Sequence, residues 1–442
     1  MVSADNLNLD VLELIFAYLS GNDLVSVSLV SKSFLAGVIP RLYQTLGFRM
    51  NQAKKYPKTW SPFAAIVAHP HLAVHVHTID IRAVPISGSQ YHSQFIRDAT
   101  SALILSQNLS SFTLTVDTLP SFLISLQNKP RLEELRVHAN LNRCQMELLT
   151  QIKGLRSLDL DYASWNVVDG LSGWCQNNLS ATLTTLTLYM AHDLNDQVLA
   201  STLENLPNLT SLHVVGCPKA DHVTVLQLAG LYTPHLESLS LTTWESPRTL
   251  PPLPPLLHLT RLSIDTHCTL SPPSIPPLYT ALFALFSPSP LSHLTLKLSD
   301  KLILADSFID GLVERHGMRL KTLSLVGCVV GTESVMRIMR GCRGLDVLGI
   351  TVPVKEMFPF TLALSHSKSV HTLIDMGEKH ENHGPRLSLS KDSIRTLMES
   401  VKSLRVVVCD NRRWVATRER SKLKISLERR KRHAAQHWFM AP

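Results

Sequence analysis

At 442 residues the chain is longer than one compact core supports, since cores stop growing at about 250–300 residues, so several domains or a repeat array are required. Apolar residues at 45% and charged residues at 18% exclude a disordered chain. The net charge of +8 resides in residues 411–433, which hold ten Lys/Arg and two Glu; the remainder carries 33 charges of each sign, so the basic pI is no argument for a nucleic-acid-binding fold.

No segment approaches the ~18 consecutive apolar residues of a membrane helix. The opening "MVSADNLNLD" lacks the basic and apolar regions of a secretory signal. The seven cysteines are scattered, with no C-x-x-C pair, which predicts reduced thiols in a cytoplasmic or nuclear protein.

The first pattern occupies residues 1–49. Val11, Leu12, Ile15, Phe16 and Leu19 fall on one stripe, predicting an amphipathic helix. Gly21 is expected to end it and Asn22 or Asp23 to cap a second helix carrying Leu24, Val27, Val30 and Phe34. Pro40 is expected to break the chain before "RLYQTLGFR". Three short helices in about 45 residues need burial from a partner or an adjoining domain.

This pattern resembles an F-box, whose family reads roughly L-P-x-E-[VI]-L-x-x-I-F-x-x-L, then D-L, then V-[SC]-K-x-[FW]. The matching residues are Leu7, Asp10, Val11, Leu12, Ile15, Phe16, Leu19, Asp23, Leu24, Val30, Ser31, Lys32 and Phe34. Asn8 stands at the family's proline position and Asp10 at its glutamate. The segment "IPRLYQTLGFR" is similar to the continuation in fungal F-box proteins. The resemblance implies that Leu7, Asn8, Asp10, Leu12, Ile15, Phe16, Leu19, Leu24, Val27, Val30, Lys32 and Phe34 bind a Skp adaptor. The alternative is an ordinary helical cap on the N-terminus of a solenoid.

After a connecting helix or linker at 50–75, residues 76–410 repeat L-x-x-L-x-L, with Val, Ile or Phe allowed. Clear copies are "VHTIDI" (76–81), "LSSFTL" (109–114), "LEELRV" (132–137), "LRSLDL" (155–160), "LTTLTL" (183–188) and "LTSLHV" (209–214). "LESLSL" (236–241), "LTRLSI" (259–264), "LSHLTL" (291–296), "LKTLSL" (320–325) and "LDVLGI" (345–350) continue them, and "VHTLID" (370–375) and "LRVVVC" (404–409) are weaker. The period-two part predicts a short strand buried on one face. Helical patterns such as "DQVLASTLENL", "ADHVTVLQLAGLY", "DSFIDGLVERHG" and "TESVMRIMRGC" separate the strands. The pattern resembles the leucine-rich repeat, which implies an α/β solenoid of about 12–13 repeats with a parallel sheet on its concave face. Cys217 and Cys328, placed just after their strands, are similar to the cysteine-containing subtype.

Residues 247–290 hold eleven of the 25 prolines and are expected to be extended or polyproline connectors, since proline does not suit a helix interior; "PPLPPL" can also serve as a docking motif. Residues between the leucines are expected to face outward on the concave side. From these, Tyr189, His213, Asp265 and Lys297, with Trp165 and Trp244 just past their strands, are the candidate substrate contacts. Soluble strand faces are the alternative for the Ser/Thr positions.

Residues 411–442 read as a basic tail. Arg429, Arg430, Lys431 and Arg432 form a nuclear-localisation candidate or a polyanion contact, against a simple solvated tail. His69, His71, His75 and His77 gather near one another, with His75 and His77 expected on one strand face, but no Cys or carboxylate completes a zinc site, and "HENH" (380–383) is too short for the helical zinc motif. No phosphate loop, dinucleotide fingerprint or nucleophile elbow occurs.

The two-part pattern therefore resembles an F-box protein with C-terminal leucine-rich repeats. That resemblance implies the substrate-recognition subunit of a Skp–cullin–F-box ubiquitin ligase, acting by proximity with no catalytic residues, cofactor or metal of its own. A protein substrate is implied, and nucleic acid only through the tail. A protein-interaction scaffold outside a ligase, or a nuclear protein with a polyanion-binding tail, are the alternatives.

Overall fold

The computed structural model describes residues 8–19, 21–246, 248, 255–266, 275–377, 388–410, 412–419, 422–429 and 437–440. The chain divides into two compact units, Met1–Asn208 and Leu209–Pro442.

The first unit opens with helices α1 (Leu9–Phe16), α2 (Asn22–Ser28) and α3 (Lys32–Leu42). The Asn8 carbonyl accepts the first intrahelical bonds of α1, from the Val11 and Leu12 amides. Gly21, at φ 56°, is the N-cap of α2, so Asn22 and Asp23 lie in its first turn and not at the expected cap. Ser31 caps α3 by accepting from the Phe34 amide at 3.2 Å. Pro40 does not break the chain. It sits in the last turn of α3, where its missing N–H forfeits one bond and only two helical residues follow.

"TLGF", expected to belong to the helical segment, is instead a strand, Thr45–Phe48, which pairs in parallel with Thr78–Ile81 and joins the helical trio to the repeats. The strands Ser111–Leu114, Glu134–His138, Ser157–Asp161 and Thr185–Tyr189 follow in parallel order. Their registers put Leu46, Ile79, Phe112, Leu135, Leu158 and Leu186 in one buried row. Identical spacing in each copy thus stacks each leucine on the last, and no unit buries its face alone. Behind the first strands, Phe48 packs on Phe63 and Phe95 with ring centroids 6.4 and 4.5 Å away. Further along, Trp174 is buried and its indole N–H donates to the Ile152 carbonyl at 2.9 Å.

The second unit continues with parallel strands Ser211–Val215, Ser238–Thr242, Arg261–Asp265, His293–Ile303, Thr322–Val329, Val347–Ile350, Thr372–Asp375 and Val406–Cys409. All thirteen copies of the motif therefore form strands. The four helical patterns also form, at Asp196–Leu203, His222–Tyr232, Asp306–His316 and Thr332–Gly341. The fold is α/β, a helical N-terminus followed by strand–helix repeats on parallel sheet.

Four expectations need correction here. The proline-rich stretch contains a helix, Ile275–Leu285. Pro276 and Pro277 occupy its first turn, where backbone N–H groups have no intrahelical acceptor and proline costs nothing. Cys217 follows its strand as expected, but Cys328 lies inside one, because the Thr322 strand extends to Val329. His75 ends a 3-10 helix, Pro70–His75, and does not share a strand with His77. Finally, the basic tail is not simply solvated: Arg412–Glu419 and Lys422–Arg429 form an antiparallel hairpin that pairs with Val406–Cys409.

Candidate functional site

Two surfaces carry the candidate residues. The first is the helical trio. Leu12, Phe16, Leu24 and Val38 form its buried core, with Leu19, Val27, Phe34 and Leu42 packed against it. Phe16 and Phe34 approach at 5.4 Å between centroids. Arg41 ties α3 to the end of α1 by donating to the Ala17 carbonyl at 3.2 Å.

The expected single stripe, on α1 and the turn that follows it, is really two. Leu12, Phe16 and Leu19 face inward, whereas Val11, Leu14, Ile15 and Tyr18, at i, i+3, i+4 and i+7, face out. Leu14 is 69% exposed, Tyr18 92% and Leu29 82%. Val25, Val30 and Leu35 are exposed as well. A helix apolar on both faces satisfies only one of them within this chain. So many large apolar side chains exposed together is the kind of surface that protein contacts use.

Among the adaptor candidates, Ile15 and Val30 thus present apolar surface, and Asn8, Asp10 and Lys32 are exposed polar neighbours. Leu12, Phe16 and Leu24 are core residues that hold the helices together. Leu7 lies outside the described residues. Sequence reasoning passed over Leu14, Tyr18 and Leu29, whose apolar character off the core stripe was the available signal.

The second surface is the strand face that carries the residues between the leucines. In the first unit Arg136 forms an ion pair with Asp161 at 3.0 Å, both largely shielded from solvent. Beside it, His138 stacks on Tyr162 at 5.2 Å, and Tyr162 meets Tyr189 edge-on at 6.0 Å. Tyr162 adopts φ 53°, in the left-handed region, at the turn that leaves its strand. Tyr189 therefore belongs to an aromatic group at the strand ends. Trp165 is exposed at the start of the Trp165–Trp174 helix and lines a surface cleft with Arg143, Met146, Asp169 and Trp174.

In the second unit His213, Ser240, Ser263 and Thr295 occupy one register row across four strands. His213 Nδ1 and Ser240 Oγ are 2.7 Å apart. Asp265 and Lys297 are cross-strand neighbours one row away. This face is covered by the chain's own C-terminus. Ser263 Oγ donates to the Phe439 carbonyl at 2.9 Å. The Phe439 ring lies 5.4 Å from His213 and stacks on His437 at 4.8 Å. Lys297 Nζ sits 5.4 Å from the centroid of Trp438. Burial first, and the facing His437 second, push the His213 imidazole down to about 3, so it is neutral near pH 7.

His213 and Lys297 are thus brought together by the C-terminal segment. Trp244 lies half-buried just beyond its strand. Arg429 ends the hairpin, and Arg430, Lys431 and Arg432 lie outside the described residues, as does "HENH". The residues missed by sequence reasoning are His437, Trp438 and Phe439; the signal was an aromatic cluster, "HWF", in a tail read only for its basic residues. Among the described residues no group of three His, Cys, Asp or Glu is placed to hold a metal ion, and no helix is long and apolar enough to cross a membrane.

Residues 5–36 match the family model of the F-box domain, which spans the trio's first two helices and the start of α3. Among solved structures the chain is similar to one described as the crystal structure of the Rad7 and Elc1 complex in yeast. That similarity has 16% identity and a TM-score of 0.42, over 86% of this chain and 91% of the other. No curated protein matches the chain.

Proposed function

We propose that the chain is the substrate-recognition subunit of a Skp–cullin–F-box ubiquitin ligase. The observation that carries this reading is the outward apolar stripe Val11, Leu14, Ile15 and Tyr18 on a segment matching the F-box domain. Burying each such side chain against a partner is worth about 1.5–3 kcal/mol before association costs. In each unit the strand face carries polar side chains between the leucines, and in the first unit it is edged by the His138, Tyr162 and Tyr189 rings, which suits holding a protein ligand. The chain's contribution to rate is then proximity: it positions a substrate lysine near a charged conjugating enzyme and supplies no catalytic group.

The test is capture of a purified Skp adaptor by the full-length chain. Wild type binds, and an Ile15→Asp/Leu29→Asp variant with an unchanged melting temperature loses binding. If wild type does not bind, or the variant binds as well, the reading fails. Adaptor capture without recruitment of a cullin would instead favour a scaffold outside the ligase.

A further inference from the structure

The C-terminal segment docks where a substrate receptor of this design would hold its ligand, and every contact is of a kind a protein ligand could reproduce. Phe439 is 4% exposed. It lies over a row of small or planar side chains, His213, Ser240 and Ser263, which leaves room for a ring against the sheet. One backbone carbonyl is read by the Ser263 hydroxyl. The neighbouring Trp438 offers its π face to Lys297, a cation–π contact. Hydroxyl to carbonyl, ring on imidazole, and ammonium on indole together specify an adjacent Trp–Phe pair in an extended or turned peptide. They are not a generic apolar contact.

We propose that the face formed by His213, Ser240, Ser263 and Lys297 is a peptide-binding site for a segment with paired aromatic side chains, and that the chain's own His437–Met440 occupies it as an internal ligand. A protein bearing such a pair gains the site only by displacing that segment. Seven residues join Arg429 to His437, and a tether that short gives the internal ligand an effective concentration in the ~mM range. Competitors must therefore bind well, or the tail must be released first. This inference rests on the strand face being the ligand-holding surface. It does not involve the adaptor-binding helices, so the adaptor capture above fails or succeeds separately.

The test is diethyl pyrocarbonate modification of the full-length chain, mapped by mass spectrometry, with buried His316 as the internal reference for an intact fold. The expected result is that His213, relative to His316, reacts at least tenfold faster in a Trp438→Ala/Phe439→Ala variant, and in a chain ending at residue 433, than in wild type. Adding a synthetic peptide of residues 434–442 at millimolar concentration restores protection of His213 in both. A peptide with both aromatic residues replaced by alanine does not, and Lys297→Ala weakens the rescue. Equal relative reactivity of His213 in wild type and both variants, or rescue by neither peptide or by both equally, overturns the proposal.

Discussion

Gly37 on α3 lies against Phe16 on α1 so closely that a Cβ there would stand 3.0 Å from Phe16 Cε2 and 3.1 Å from Leu12 Cβ. Leu12 Cβ is fixed to its backbone and cannot swing away, so even a single methyl at 37 requires the two helices to give by a few tenths of an ångström. Gly37→Val should force them apart, at about 1–3 kcal/mol of overpacking. The expected result is loss of adaptor capture together with loss of helical signal from the trio, while the repeats stay folded. Unchanged capture by this variant would show that the crossing is looser than described.

The two stripes of α1 make opposite predictions for neighbouring positions. Phe16→Ala removes a core side chain and should cost about 3–5 kcal/mol of trio stability. Ile15→Asp places charge on an exposed position and should leave stability within about 0.5 kcal/mol. Thermal melting of the two variants separates the faces. Similar destabilisation by both would mean that Ile15 is not outward-facing.

Acid should weaken the second unit before carboxylates titrate. Burial leads the downward shifts of His213, His222, His293 and His316. For His222 the neighbouring Asp221 opposes the shift, whereas Arg261 and Lys321 add to it for His293. At His316 the Phe283 carbonyl opposes it, and Arg319 and Arg315 add to it. Between the lowered folded values and about 6.5, the unfolded chain binds more protons. Their contribution to stability is therefore complete above about pH 6.5 and declines as pH falls below it. For His213, whose window runs from about 6.5 down to about 3, the loss by pH 5 is about 1–2 kcal/mol. The Tm should drop between pH 7 and pH 5, and drop less in His213→Asn. A flat profile would count against the buried, neutral imidazoles.

The hairpin depends on one of the basic residues that the charge pattern assigned to a tail. Arg418 donates to the carbonyls of Leu404 at 2.9 Å and Val401 at 3.2 Å, and also to that of Met398. These lie at and beyond the end of the Lys391–Ser400 helix, where carbonyls lack intrahelical donors. Arg418→Ala should cost about 1–2 kcal/mol and speed hydrogen exchange in 412–429. Arg418→Lys should rescue little, because one ammonium cannot span carbonyls that the forked guanidinium reaches. Exchange unaltered by either substitution would remove this role.

Much of the strand face was already legible from alternation. The leucines of each copy point inward, so His213 and Lys297 had to lie opposite them, and they do. What was not legible is that two of these candidates are already engaged. His213 and Phe439 are separated by more than two hundred residues, and no local periodicity links them.

The sequence by itself determined the strand–helix repeat and its register. An L-x-x-L-x-L copy states its own strand, its buried face and its alignment with the next copy, since each requires only neighbours in the chain. The tertiary structure alone decided which apolar stripe of α1 goes inside, that "TLGF" and the basic tail join sheets, and that Trp438 and Phe439 come to rest on Lys297 and His213. Those outcomes depend on which surface each segment meets. An apolar or basic residue records that it needs a partner, but the pattern around it does not say which surface that partner is on.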